Sequence, residues 1–170
     1  MGFVHDTHMA QYIPPTLFHV ATGTWTLAAG AVAGTIAKHV AAADETSIIN
    51  VPVVLPSNSI ALKGAYLVSI EIDFEILIAA CDALAAVVNK VTRGVDGEVA
   101  VVDAQTFTYD TGHDGASERI DVDQHKMTLT LSTPFWLDND VYVLVEITAD
   151  KAATTTMDFL GAVANFDLRL

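Results

Sequence analysis

Cysteine is nearly absent. Cys81 is the only one in 170 residues, so no disulfide forms within the chain and cysteine-based zinc sites are excluded. Positive charge is scarce as well. Eight Lys and Arg stand against 21 Asp and Glu, a net charge of −13. Direct binding to nucleic acid is therefore disfavoured, because affinity for a phosphate backbone comes from Lys and Arg displacing counterions. Charge of either sign is thin, at 17% of residues, where a soluble domain carries about 25%. Long apolar runs are missing too. The charge-free stretch from Gln11 to Ala37 is broken by Pro14, Pro15, Gly23, Gly30 and Gly34, whereas a membrane helix needs roughly 20 predominantly apolar residues. No Gly-rich phosphate loop and no G-x-S-x-G turn is present, which removes two common settings for phosphate binding and for a serine nucleophile.

What the chain has instead is apolar residues, 52% of the total, and a mean hydropathy of +0.42. With no membrane span to absorb it, this surplus is assigned to contacts with other copies of the chain, since obligate interfaces resemble a core cut in half. A closed homo-oligomer, most simply a trimer, is the expectation. The opening "MGFVHDTHMAQYIPP" lacks a basic segment followed by an apolar one, so it reads as chain made in a cytoplasm without a signal peptide.

Residues 1–23, with three histidines and two prolines, lack sustained periodicity. They read as an extended N-terminal arm that orders only by lying on a neighbouring subunit. Residues 24–170 read as a single domain in which β signals follow one another. In "VSIEIDFEILI", residues 68–78, Ile70, Ile72, Phe74, Ile76 and Ile78 share one parity, and Glu71, Asp73 and Glu75 lie between them. That is a strand with one buried face, placed at Ala65 to Ile78. An outward acidic row of this kind also discourages edge-to-edge pairing. Pro52 marks an edge strand or a bulge. Ala79 to Ala83 read as a connection and Leu84 to Arg93 as a strand. In "HKMTLTLSTPFWL" the inward set is Met127, Leu129 and Leu131. About eight strands at roughly 8- to 15-residue spacing, without a helix of useful length, define an all-β antiparallel sandwich, jelly-roll-like. Leu77, Tyr142, Leu144 and Val163 place apolar groups on the second face of their strands, and these four are the expected interface residues.

The succession of "LKGAYLVSIEIDFEI", "YDTGHDGASERIDVDQHKMTLTLSTP" and the closing "FLGAVANFDLRL" resembles β-sandwich structural proteins of tailed phages and other viruses, of the decoration or head-fibre type. The terminal strand is also similar to the last strand of trimeric jelly rolls of the tumour-necrosis-factor and C1q kind. The resemblance spans roughly residues 45–170 and implies a structural role in a virion or similar particle, with a capsid or other assembly protein as partner. It carries no functional residues with it.

Sites for chemistry are sparse. Aligned on a twelve-residue calcium loop, "DTGHDGASERID" puts Asp110, Asp114, Glu118 and Asp121 at ligand positions, but Gly112 stands where Asp or Asn belongs and the flanks read as strand. It is a candidate for an irregular calcium loop, set against the commoner solvated turn; no other cofactor is indicated. His113 and His125 read as too far apart for a cupin-type metal site. Cys81, among alanines, reads as an inert buried thiol. Trp25, Trp136 and Tyr142 are too scattered for a sugar platform and read as core or interface aromatics. The leading expectation is a non-enzymatic self-assembling structural protein; the alternative is a β-sandwich that binds carbohydrate or calcium.

Overall fold

A computed structural model describes residues 6–29, 33–40, 43–54, 65–138 and 140–169. Their strands are β1 (Asp6–Ile13), β2 (His19–Thr22), β3 (Trp25–Ala29), β4 (Ala33–Val40), β5 (Glu45–Val53), β6 (Ala65–Leu77), β7 (Cys81–Thr92), β8 (Val101–Gln105), β9 (Phe107–Tyr109), β10 (Gln124–Leu137), β11 (Val141–Lys151) and β12 (Thr156–Arg169). The only helical turns among the described residues are two 3-10 pieces, Pro15–Leu17 and Ser117–Arg119. No helix there is long and apolar enough to cross a membrane. The turn read at residues 57–64 lies outside the described residues.

The chain is an all-β antiparallel sandwich. One sheet has seven strands, in the order β3-β4-β12-β6-β10-β9, with β1 also on β12; the other has five, β2-β5-β11-β7-β8. The count exceeds the expected eight because short strands at the sheet margins (β2, β8 and β9 among them) hold too few residues for alternation to be read. Inside, Ile70, Ile72, Phe74 and Ile76 of β6 are fully buried, as are Met127 and Leu129 of β10. They face Val51 and Val53 of β5 and Val143 and Val145 of β11, and the buried residues of the two sheets form one cluster. Two inward faces of alternating apolar residues, closing on each other, make this core.

Several sequence readings are corrected. The stretch expected to be an arm is part of the sandwich from Asp6 onward. β1 pairs with β12 in unbroken antiparallel register from Asp6↔Arg169 to Ile13↔Ala162, Ile13 is 1% exposed, and β2 pairs with β5. Pairing within the chain satisfies these backbone groups without help from a neighbour. β7 begins at Cys81 rather than Leu84, because Ala83 and Cys81 pair with Asp150 and Lys151 of β11, and that ladder overrides the helix preference of alanine. β6 ends at Leu77. Ile78, expected inside, is 77% exposed and turns with φ +73°, an unfavourable region for a β-branched residue. β6 is an interior strand between β12 and β10, so its acidic row guards no sheet edge. Pro52 lies opposite Leu144 of β11, beyond the part of β5, Ile48 to Asn50, that β2 covers, and there its missing N–H costs little.

β12 holds three partners. Along one edge runs β6; along the other run first β4, at Thr156 to Phe159, and then β1, from Ala162 onward. The register shifts against β6 between Phe159 and Gly161, where the edge passes from one partner to the next. Gly161 sits at φ +141°, and a Cβ there would lie 2.6 Å from the Tyr12 hydroxyl. The hydroxyl itself donates to the Leu160 carbonyl, 2.9 Å away. Ile13→Ala is expected to cost about 2–4 kcal/mol in denaturant unfolding, the usual range for a buried aliphatic truncation. Unchanged stability would mean that β1 is no part of the core.

Candidate functional site

The outward face of the seven-stranded sheet carries more ordered chemistry than any other described surface. Tyr12, Val163, Glu71 and Thr128 lie in one cross-strand row over four strands. Lys126 stands opposite Asp73 in register but reaches diagonally to Glu71, Nζ to Oε2 at 2.5 Å. Diagonal neighbours on a sheet face are within reach of long side chains. The Asn165 amide donates to the same Glu71 carboxylate. The Lys126 hydrogen bond leads in holding the Glu71 carboxyl below its ordinary range, against the upward pull of burial. Asp73, left without that partner, is pushed up by burial. Further along, Asp158 is also pushed up by burial, opposed by Lys38 at 3.5 Å. This face is acidic and half-covered, with Val163 and Leu77 beside the charges.

The four expected interface residues do not share a surface. Val163 and Leu77 flank the acidic row on the seven-stranded sheet, whereas Tyr142 and Leu144 lie on the outward parity of β11, in the five-stranded sheet. All four are half-buried. No single sheet face therefore presents all four.

Two of the four candidate carboxylates, those of Asp110 and Glu118, accept backbone N–H groups. Asp110 Oδ1 accepts the backbone N–H of Gly112, and Oδ2 accepts that of Thr128. Glu118 accepts the N–H of Gly115 at 2.7 Å. Asp114 and Asp121 take part through their carbonyls, which accept from Arg119 and His125. Burial pushes the Asp110 carboxyl upward, but the hydrogen bonds from Thr128, His113 and Gly112 outweigh it and hold the group below its ordinary range. The calcium alignment thus brings no convergent set together. Among the described residues no group of three or more His, Cys, Asp or Glu is placed to hold a metal ion. The histidines of the same loop are a different matter. His113 and His125, read from sequence as too distant, meet with Nε2 and Nδ1 3.3 Å apart. The loop folds back on itself, and nothing in their spacing announces it.

At the other end of the interior, sequence reasoning missed Lys151. It is fully buried, its Nζ has no hydrogen-bond partner among the described residues, and it lies 4.9 Å from the ring centre of Trp25. His39, also buried, packs its ring on Trp25 and meets Glu45 at 3.1 Å. Burial first, then the Lys151 charge, lowers the affinity of His39 for its proton. Trp25 borders an apolar cleft of about 360 Å³ with Phe18, Val20, Leu27 and Ile49. Cys81, the inert thiol of the sequence reading, is buried and pushed up to about 11 by that burial. Tyr66 and Trp136 contact one another at 4.8 Å but are tilted by 53°, unlike a coplanar sugar platform. Comparison of the sequence with protein-family models and with curated proteins finds no match.

Burial pulls the Lys151 ammonium down to about 8. The unfolded chain then binds this proton more tightly than the folded chain, so Lys151 makes stability rise with pH from about 8 toward the ordinary lysine value near 10.4. Cys81 acts with the opposite sign, because its unfolded thiol ionises first, and it enters only above the ordinary thiol range. Lys151→Met is expected to stabilise the protein by about 1–3 kcal/mol at neutral pH by removing a desolvated charge, with the gain shrinking above about pH 8. Denaturant unfolding of both proteins at neutral pH and near pH 9 measures this. A variant less stable than the parent at neutral pH would mean that Nζ has a partner offsetting its desolvation.

Proposed function

We propose that this protein is a non-enzymatic, self-assembling structural component with jelly-roll connectivity, of the virion decoration or shell type, acting through homo-oligomeric contacts. The observation that carries the reading is the strand order. β1-β12-β6-β10 on one side and β5-β11-β7-β8 on the other make the chain cross between sheets at five of the seven steps from β5 to β12, as in the winding of a double-sheet jelly roll. The outward faces support it: Tyr12 and Val40 on the seven-stranded sheet are each more than half exposed, beside the half-buried Val163 and Leu77. Apolar groups on an outward sheet face suit a contact between copies. A trimer is the closed assembly favoured here. The protein is made in a cytoplasm and built into a particle, with a capsid or other assembly protein as further partner.

Packing copies of a chain of net charge −13 sets apolar burial against repulsion. Light scattering is expected to give three times 18.1 kDa, with the assembly strengthened by sodium chloride, which screens repulsion beyond about 8–10 Å. An 18.1 kDa species at micromolar concentration would overturn the reading. Weakening by salt would show that ion pairs between copies hold the assembly instead.

A further inference from the structure

The two loop histidines are linked at both ends to acceptors. His113 Nδ1 lies 2.8 Å from Asp110 Oδ1, His113 Nε2 lies 3.3 Å from His125 Nδ1, and His125 Nε2 lies 3.0 Å from the Asp121 carbonyl. Each of these three contacts requires one proton. The last must sit on His125, because a carbonyl has none to give. Two neutral imidazoles and a carboxylate supply two protons between them. Without a third, the facing nitrogens of the two rings meet lone pair to lone pair, or an outer bond is lost. Both residues are buried, so water does not readily make up the deficit, and a buried polar atom left unpaired is costly.

We infer that Asp110, His113 and His125 together hold one extra proton, shared between the two rings, and that this proton fastens the loop between β9 and β10. The surroundings suit a cation at this place. His125 stacks on Phe74 of β6, with centroids 4.6 Å apart and planes 11° apart, which puts the ring against an aromatic face. Asp110 accepts from Thr128 and Gly112 as well as from His113, so the carboxylate stays ionised and the triplet is electrically neutral as a whole. The other charges nearby are engaged elsewhere. Arg119 of the loop donates to the carbonyls of His113, Asp114 and Leu84 and lies over Tyr109. On the far side of β10, Lys126 pairs with Glu71. Asp123 accepts the N–H of Gln124, and the Asp114 and Asp121 side chains lie among exposed residues.

The proton joins the first half of the loop, at His113, to its last part, at Asp121 and His125. The last part is also tied to the sandwich by bonds that do not titrate, Cys81 N–H to the Ile120 carbonyl and Ile76 N–H to the Asp123 carbonyl. Loss of the proton therefore cuts the link from His113 to that fixed segment, while the bonds from Thr128 and Arg119 to Asp110, His113 and Asp114 remain. The loop is a clasp fastened by that proton and loosened when it is lost.

The test uses the full chain, labelled with nitrogen-15 and kept in chelator. At about pH 6 the imidazole spectra of His113 and His125 should show three protonated ring nitrogens in all, and at about pH 8.5 two. Amide exchange at Gly112 and Gly115, corrected for intrinsic rates, should reveal roughly tenfold more opening at the higher pH, the size of one lost hydrogen bond. In His125→Phe, which keeps the ring against Phe74, that pH dependence should vanish. Two protonated nitrogens near pH 6, or an unchanged pH dependence in the variant, would overturn the inference. So would stoichiometric zinc closing the loop at high pH, since the gap between the rings would then belong to a metal ion. The nitrogen count is made on the unaltered protein and stands if the variant does not fold.

Discussion

A single row of rings runs through the interior, and the rest of the structure is arranged around it. His113 meets His125, His125 stacks on Phe74, Phe74 packs at 5.9 Å on Phe159, and Phe159 lies 5.2 Å from Trp25, which carries His39 and Lys151 at its far side. The row is set by pairing of the backbone. Phe74 and Phe159 are direct partners across β6 and β12, so the register of the longest ladder fixes the contact. Interiors packed as densely as crystals transmit such placements with little slack. The ionisable groups of the core sit at the two ends of this row, where rings give way to polar side chains.

That arrangement separates two kinds of electrostatics. On the outward sheet face, Glu71 keeps its charge through Lys126 and Asn165 while Asp73 bears a desolvation cost; such exposed pairs are weak and easily screened. Inside, charge is either neutralised in place or disfavoured. The loop triplet balances a carboxylate with one proton, whereas for Lys151 burial outweighs the face of Trp25 and the charge of Glu45, and it loses affinity for its proton. A buried charge with its partner costs little, and the same charge alone costs much.

Much of this was legible in sequence. β6 was written in the alternation of Ile70, Ile72, Phe74 and Ile76, and the inward set of β10 in Met127, Leu129 and Leu131, because a strand with one buried face has a period of two. β1 was not. Its inward residues, Met9, Gln11 and Ile13, include a polar side chain, and Pro14 and Pro15 follow at once, so alternation never built up. The acidic loop was found as a feature, with calcium binding and a solvated turn both open, since nothing in sequence tells whether a carboxylate turns outward to an ion or inward to backbone N–H groups. The meeting of His113 with His125 depends on loop closure. The division of Leu77 and Val163 from Tyr142 and Leu144 depends on which sheet each strand joins. Neither is a local property of the chain.

The two-part edge of β12 has a consequence for exchange between copies. β1 pairs along its length with one strand, and it leads through Pro14 into a single 3-10 turn that starts at Pro15. β4 and β3 occupy their own part of the edge and do not depend on it. A strand attached in this way is transferable: handed from one copy to the next, it would recover the same eight-residue register, with the same Tyr12 ring over Gly161. Only the path of the proline hinge would change, and such reciprocal exchange is a low-cost route from monomers to closed assemblies.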